Sequence, residues 1–185
     1  AAKLSKEFDE RTIGVVGYYA TALDPVMPKE KKALKKIFKK RATENLEIGI
    51  ALATVQLTFR SQPEIFIKIV ELFNYKAGEF TENFKDLPPE KKLKILSIFQ
   101  DEEKLEKVKT LIGKIEEWNA ASIISTIGLP TEKEEKALQE IYENTKDSND
   151  GIFVFSELMF KFSSEFRKDP EFFATVAKHV KGSFR

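Results

Sequence analysis

Apolar residues recur at intervals of three and four along almost the whole chain, from Phe8 to Val180. Residues spaced in this way share one face of an α-helix, whereas a half-buried β-strand alternates apolar and polar residues. The sequence contains no alternating run that is bounded by hairpin turns. The spacing therefore predicts an all-α fold of about nine helices. Those helices are expected at residues 6–23, 29–41, 44–60, 63–84, 89–99, 102–127, 131–145, 152–167 and 170–180.

Proline with a glutamate just after it marks the start of several of these helices. Proline is tolerated at the first helical position because its missing N–H would have no partner there, and glutamate complements the positive end of the helix dipole. The pattern occurs at Pro28-Lys29-Glu30, Pro63-Glu64, Pro88-Pro89-Glu90, Pro130-Thr131-Glu132 and Pro170-Glu171. These closely spaced starts predict short connections and compact helical hairpins.

The composition excludes several classes of protein. A chain of 185 residues is long enough to form a single domain, residues 1–185, with its own apolar core. Its 31 basic and 30 acidic side chains nearly cancel, so no global field directs it to nucleic acid. The absence of cysteine excludes disulfides, thiol catalysis and cysteine metal sites. The longest weakly charged stretch, residues 48–59, is shorter than the roughly twenty apolar residues that span a bilayer, so no membrane span is expected.

Two stretches of the chain resemble each other and predict an internal repeat. The matching segments are Lys32-Ala33-Leu34 with Lys136-Ala137-Leu138, and Phe59-Arg60-Ser61-Gln62-Pro63-Glu64 with Phe166-Arg167-Lys168-Asp169-Pro170-Glu171. On this interpretation residues 29–73 and 132–180 are two diverged copies of a three-helix unit, and residues 89–127 bridge them. The alternative is chance similarity, since amphipathic helices resemble one another.

The repeated Phe-Arg-x-x-Pro-Glu stretch would have the same structural role in both copies. Phe59 and Phe166 would anchor the end of one helix in the core, and the proline that follows would start the next helix. Arg60 and Arg167 would lie near the negative end of a helix, where they act as partners of the helix dipole.

The helix that opens each copy differs in charge. The first copy is basic and carries Lys29, Lys31, Lys32, Lys35, Lys36, Lys39, Lys40 and Arg41. The second copy is acidic at the matching helix and carries Glu132, Glu134, Glu135, Glu140 and Glu143. The basic face is either a solvated surface, a contact for an anionic surface or acidic partner, or a surface that pairs with the acidic copy in a dimer.

The segment from Lys146 to Glu157 resembles an EF-hand calcium loop. Asp150 stands at the fifth loop position, Gly151 at the sixth and Glu157 at the twelfth, as that loop requires. However, Lys146 occupies the first ligand position, where a carboxylate is needed. Asp150 and Glu157 are therefore weak metal candidates, and the favoured interpretations are a turn before a helix or a degenerate hand without metal.

No residue pattern indicates catalysis. His179 is the only imidazole, and it lies near the end of a predicted helix, where a histidine is typically stabilised by the helix dipole. Gly14 and Gly17 lack the glycine order and the preceding strand of a dinucleotide site, so close helix packing is their favoured role. We therefore expect neither an enzyme nor a cofactor.

The helix starts at Leu87-Pro88-Pro89-Glu90-Lys91-Lys92 and Leu129-Pro130-Thr131-Glu132-Lys133 resemble those of secreted, cysteine-poor helical proteins of nematodes. The fatty-acid- and retinol-binding family is the best-known family of this kind. The resemblance is one of composition and helix starts, and it covers a minor part of the chain. It implies a helical shell around a cavity for a fatty acid or a retinoid, without catalytic activity, and it favours secretion over a cytoplasmic location. It assigns no ligand-binding residue.

Together these observations favour a non-enzymatic helical binding protein that carries a hydrophobic small molecule such as a fatty acid or a retinoid. Sixteen phenylalanines must either fill a core or line a cavity. The candidate ligand-binding residues are Phe66, Ile69, Phe73, Phe153, Phe155, Phe162 and Phe173. The alternative is a protein-interaction or structural module, such as a degenerate EF-hand-like pair without calcium. The sequence leaves the oligomeric state open.

Overall fold

A computed structural model describes residues 27–39, 55–147 and 151–180 of the chain. Within these ranges the regular secondary structure is helical and contains no β-strand, so the predicted all-α fold is confirmed. None of the described helices combines the length and the hydropathy that crossing a bilayer requires. The α-helices are α1 (Pro28–Lys39), α2 (Gln56–Ser61), α3 (Pro63–Phe73), α4 (Ala77–Lys85), α5 (Pro89–Ile98), α6 (Glu102–Ile115), α7 (Glu117–Ile127), α8 (Glu132–Thr145), α9 (Gly151–Lys168) and α10 (Pro170–Val180), and a 3-10 turn at Asn74–Lys76 joins α3 to α4.

Two helices that the sequence predicts as continuous are each interrupted at a residue with positive φ. The predicted helix 63–84 breaks at Asn74, with φ of 51°, and the predicted helix 102–127 breaks at Glu116, with φ of 70°. Asparagine adopts positive φ more readily than most residues, whereas glutamate rarely does. The spacing of apolar residues continues through both breaks, so periodicity alone does not reveal them. The predicted helix 6–23 lies outside the described residues.

The helix starts combine the predicted proline positions with capping side chains that the sequence analysis did not include. Pro63 and Pro89 stand at the first positions of α3 and α5, and each is followed by a glutamate. The carboxylate of Asp101 caps α6 by accepting a backbone N–H of its first turn. At α8, the Thr131 hydroxyl accepts the Glu134 N–H at 3.3 Å, and the Glu134 carboxylate accepts the Thr131 N–H at 2.6 Å. This reciprocal capping box pairs two N–H groups that a helix start leaves unpaired.

The chain divides into two compact units, Ala1–Asp86 and Leu87–Arg185. In the first unit, α3 packs against α1 and α2, and α4 follows α3 through the 3-10 turn. The Phe80 ring stacks on Phe73 at a centroid distance of 5.7 Å and on Phe84 at 5.5 Å. The fully buried phenylalanines among the described residues of this unit are Phe59, Phe66, Phe73, Phe80 and Phe84. These five phenylalanines therefore fill the core of this unit.

In the second unit, α8 packs against α10, α9 packs against α7, and α5 and α6 both contact α7. Helix α7 is the central element, since its seven consecutive residues from Asn119 to Ser125 are all buried. The predicted bridging segment, residues 89–127, thus packs within this unit. The prediction of a single domain stays a prediction.

Each unit contains a buried glutamate that joins two helices through an arginine. Glu30 of α1 accepts from Arg60 Nε at 2.7 Å and from the Met27 N–H at 2.6 Å. Glu134 of α8 accepts from Arg167 Nε at 3.0 Å, in addition to its capping bond. The two glutamate side chains are only 1% and 5% exposed, and a carboxylate so buried needs charged partners. Each arginine therefore binds a carboxylate on another helix. The sequence analysis predicted only an interaction with the helix dipole and did not predict these ion pairs.

The phenylalanine next to each arginine is buried and makes the same kind of aromatic contact. The rings of Phe59 and Phe66 meet edge to face, with centroids 5.6 Å apart and planes at 70°. The rings of Phe166 and Phe173 meet at 5.9 Å and 63°. Phe59 and Phe166 are both completely buried, as expected for residues that anchor a helix end in the core.

The backbone also leaves helical geometry four residues before each of these phenylalanines. Val55, which precedes α2, has φ −109° and ψ 28°, and Phe162, which kinks α9, has φ −128° and ψ 16°. These contacts and breaks occur in both segments of the predicted repeat, residues 29–73 and 132–180. The homology of the two segments stays a prediction.

Two glycines give opposite predictions for stability. Gly128 ends α7 with φ 78° and ψ −153°, a conformation that is almost restricted to glycine, so Gly128→Ala should lower the free energy of unfolding by about 1–3 kcal/mol. Gly113 lies inside α6, where an added methyl group meets open space, so Gly113→Ala should raise it by about 0.5–1 kcal/mol. Urea denaturation of both variants measures the two changes. If both variants changed the free energy of unfolding in the same direction, the positive φ of Gly128 or the unobstructed helical position of Gly113 would be wrong.

Candidate ligand-binding site

A pocket of about 380 Å³ lies within the second unit. It is bounded by one face of α5, the first turn of α6, the end of α7 and the second half of α9. Its volume falls within the range of roughly 300–1,000 Å³ that is typical of small-molecule sites. The lining residues are Lys91, Lys94, Ile95, Ser97, Ile98, Lys104, Thr126, Ile127, Gly128, Leu129, Ser163, Ser164 and Arg167.

Helix α5 supplies both the basic and the apolar part of this lining. Lys91, Lys94, Ile95 and Ile98 are spaced at i, i+3, i+4 and i+7, which places them on one side of the helix. Ile95 and Ile98 are only 3% and 5% exposed, whereas both lysines are exposed. The isoleucines therefore form the floor of the pocket, and the lysines lie at its mouth.

The end of α7 forms a second wall. Thr126 and Ile127 belong to the last turn of α7, and Gly128 and Leu129 follow it. The left-handed backbone of Gly128 redirects the chain at this point. A Cβ atom at Gly128 would lie 3.5 Å from the Ile98 side chain, so the missing side chain also leaves room beside the floor.

The third wall comes from α9, beyond its kink at Phe162. Ser163, Ser164 and Arg167 line the pocket from this half of the helix. The Arg167 Nη1 donates to the Ile127 carbonyl at 3.2 Å, while its Nε holds the buried glutamate of α8 described above. These two contacts fix the guanidinium group at the edge of the pocket.

The lining carries positive charge and hydrogen-bond donors. Its charged residues are Lys91, Lys94, Lys104 and Arg167, and no acidic residue occurs among the described residues that line it. Outside the lining, Asp101 pairs with Lys104 at 3.2 Å. Lysine and arginine can only donate hydrogen bonds, and hydroxyls can donate as well as accept. The hydroxyl groups of the lining belong to Ser97, Thr126, Ser163 and Ser164. The site can therefore hold a molecule with an apolar body and an acceptor-rich head.

Most of the candidate ligand-binding residues predicted from the sequence lie elsewhere. Phe66, Ile69 and Phe73 are completely buried on α3, in the first unit. Phe155 is completely buried on α9, where its ring lies 6.5 Å from that of Tyr142. These four candidates belong to packed cores and do not line the pocket. Their contact with a ligand stays a prediction.

Two other predicted phenylalanines, Phe162 and Phe173, belong to an exposed aromatic patch. We define this patch as Phe162, Phe172, Phe173 and Val176. The ring of Phe173 lies 6.2 Å from that of Phe162 and 5.4 Å from that of Phe172. Phe162, Phe172 and Val176 are 47%, 58% and 41% exposed. The side chain of Phe153 lies outside the described residues.

The EF-hand-like segment is only partly described. Asp150, the first weak metal candidate, lies outside the described residues. Glu157, the second, is exposed and pairs with Lys161 one turn later on α9. Lys146, at the first ligand position, pairs with Glu143 at 2.6 Å. In the described part of the chain, no three histidine or carboxylate groups come together in an arrangement that could hold a metal ion.

Helix α1 displays the basic face that the sequence predicts. It buries Ala33, Leu34 and Ile37, and its exposed residues include Lys29, Lys32, Lys35 and Lys36. Contact of this face with an anionic surface or an acidic partner stays a prediction. The imidazole of His179 is exposed, and its Nδ1 lies 2.8 Å from the Thr175 carbonyl within α10.

Tyr142 on α8 gives a pH-dependent prediction. Burial and, to a smaller extent, the hydrogen bond to Glu116 raise the pKa of Tyr142 to about 12. The unfolded chain has a tyrosine pKa of about 10, so the folded state holds this proton more tightly. The resulting stabilisation is complete below about pH 10 and is lost as the pH rises from about 10 to 12.

We therefore expect Tyr142 to ionise late in an ultraviolet absorbance titration of the chain. In Tyr142→Phe this late transition should be missing. The melting temperature of the variant should also fall less than that of the wild type between about pH 10 and 12. Parallel melting curves for the two proteins over this window would contradict the assignment.

The pocket contains residues that sequence reasoning did not single out. One face of α5 carries Lys91, Lys94, Ile95 and Ile98. Their helical spacing is the sequence feature from which this side of the pocket could have been predicted. The predicted repeat includes Arg167, but it assigns this residue the role of a helix-dipole partner. Comparisons with family models, with curated proteins and with solved structures found no match for the chain.

Proposed function

We propose that the chain is a non-enzymatic binding protein that carries a hydrophobic small molecule, such as a fatty acid or a retinoid, in the pocket of the second unit. The observation that carries this proposal is the combination of an apolar floor, a basic mouth and a hydroxyl-rich lining in a pocket of about 380 Å³. Ligand sites are typically concave and largely apolar, with a few polar groups that orient the ligand.

The test is a titration of the full chain with two fluorescent ligands, a conjugated polyene fatty acid and retinol, whose emission increases in an apolar site. Binding of at least one ligand with a stoichiometry of one per chain is expected. Ser163→Trp should abolish the signal, because the indole ring would occupy the pocket.

Thr110→Trp is the matched control, since Thr110 is exposed on α6 and does not line the pocket. It should bind like the wild type. Equal loss of binding in both variants, or no binding of either ligand by the wild type, would refute the proposal. Native mass spectrometry of the protein purified from its source adds an independent measurement, because it reports co-purified ligand and subunit number together.

The exposed aromatic patch favours a second candidate function, a protein-interaction or structural module. Monomeric proteins rarely expose large contiguous apolar patches, so such a patch can mark a binding surface. Phe172→Ser should then weaken self-association or partner binding in sedimentation experiments and leave the fluorescent ligand titration unchanged. If Phe172→Ser leaves the sedimentation behaviour unchanged, this second function is wrong.

A further inference from the structure

The proposed pocket has charged residues of one sign only, which restricts the head group of its ligand. The described lining residues include four cationic side chains and no carboxylate. Two of these cations already have partners, since Lys104 pairs with Asp101 and Arg167 with Glu134. Among the described residues, neither Lys91 nor Lys94 belongs to an ion pair.

The two lysines are placed to meet a ligand head group. They lie one turn apart on α5, and both are exposed at the mouth of the pocket. The buried side chains of Ile95 and Ile98 lie further along the same face of α5. A ligand whose apolar chain lies on these isoleucines would therefore present its head group to the lysines.

The chemistry of these donors distinguishes an acid from an alcohol. An ionised carboxylate is an acceptor with two oxygens, and its hydrogen bonds from ammonium groups are roughly twice as strong as those between neutral groups. A neutral alcohol has one oxygen and no charge, so it gains little from Lys91 and Lys94. A cationic head group would be repelled by every charged residue of the lining.

We infer that this pocket selects an amphiphile with a single anionic head group, which Lys91 and Lys94 bind at its mouth while the apolar chain lies on Ile95 and Ile98. This inference rests on the proposed function and narrows it, because it favours fatty acids over neutral retinoids. Carboxylate and phosphate head groups share the required chemistry, so the experiment includes both.

The test is calorimetry of the full chain with decanoate, decyl phosphate, decanol and inorganic phosphate. We expect one or both of the anionic amphiphiles to bind at least about tenfold more tightly than decanol, a ratio that corresponds to about 1.4 kcal/mol. Added salt should weaken binding of the anions and not that of decanol, because salt screens charges at an exposed mouth.

The double variant Lys91→Gln with Lys94→Gln should lose about tenfold in affinity for the preferred anionic amphiphile and bind decanol unchanged. Lys107→Gln is the matched control, since Lys107 is exposed on α6, pairs with Glu103 and does not line the pocket. It should bind all ligands like the wild type. Thermal melts of the variants confirm that each is folded.

Several results would overturn the inference and leave the proposed function intact. These are equal affinities for decanol and the acids, or a double variant that binds the acids like the wild type. If inorganic phosphate bound as tightly as decyl phosphate, the pocket would be a plain anion site, and both the inference and the proposed carriage of a hydrophobic molecule would be wrong. If neither the acids nor decanol bound, the proposed function itself would fail.

Discussion

Replacing Phe59 or Phe166 by alanine is expected to lower the free energy of unfolding by roughly 3–5 kcal/mol in each case. Both side chains are completely buried, and each ring also makes an edge-to-face contact with a second phenylalanine. Removal of either ring loses apolar burial and leaves a cavity that neighbouring side chains fill only in part. Urea denaturation monitored by circular dichroism measures the change.

Phe172→Ala provides the control for this prediction. Phe172 is 58% exposed, so its removal should change the stability by less than about 1 kcal/mol. A loss below about 1 kcal/mol for Phe59→Ala or Phe166→Ala would show that the ring does not anchor its helix in the core. Similar losses for all three variants would contradict the burial of the first two.

Arg60→Met and Arg167→Met are each expected to destabilise the chain by about 2–3 kcal/mol. Each variant leaves a buried glutamate, Glu30 or Glu134, without its charged partner. The arginines are 36% and 43% exposed, so solvent reduces the penalty below that of a fully buried pair. Removal of the glutamate alone should cost less, because the remaining arginine is partly solvated.

A double-mutant cycle separates the ion pair from other effects of each arginine. In the cycle of Arg167→Met with Glu134→Gln, the double variant should be less destabilised than the sum of the two single variants. Lys133→Met is the control, since Lys133 and Glu171 form an exposed pair that should contribute little. Additive effects of the two substitutions would show that the buried pair contributes no coupling energy.

Much of the fold can be predicted from the sequence because local rules determine it. The spacing of apolar residues gives the all-α class, and Pro63 and Pro89 start helices as their position before glutamate indicates. The apolar spacing does not predict the breaks at Asn74 and Glu116, because it continues through both. Glu116 has φ 70° and ψ 159°, which is nearly restricted to glycine, and only its surroundings can impose that conformation.

The candidate site was harder to predict than the fold. Phenylalanine was the most visible excess in the sequence, yet Phe66, Phe73 and Phe155 are buried in packed cores. Periodicity shows that a side chain faces inward, and it does not show whether a core or a cavity lies there. The pocket forms where α5, the end of α7 and α9 meet, and that meeting depends on tertiary packing.

The buried ion pairs illustrate the same limit. Thr131 and Glu134 have the spacing of a capping box, which a sequence can reveal. The bond from Arg167 to Glu134 joins residues 33 positions apart, and no local rule predicts it. A charged side chain such as Glu134 can therefore be buried where the fold brings it a partner that is distant in the sequence.

Binding of a hydrophobic ligand in the pocket on α5 can be followed residue by residue with methyl-detected nuclear magnetic resonance. In a decanoate titration, the methyl signals of Ile95, Ile98, Ile127 and Leu129 should shift together and saturate, with contacts from these methyl groups to the ligand chain. The methyl signal of Ile69, in the core of the first unit, should stay in place. Shifts at Ile69 without shifts at Ile95 and Ile98, or no saturable shift at any methyl group, would show that decanoate does not bind in this pocket.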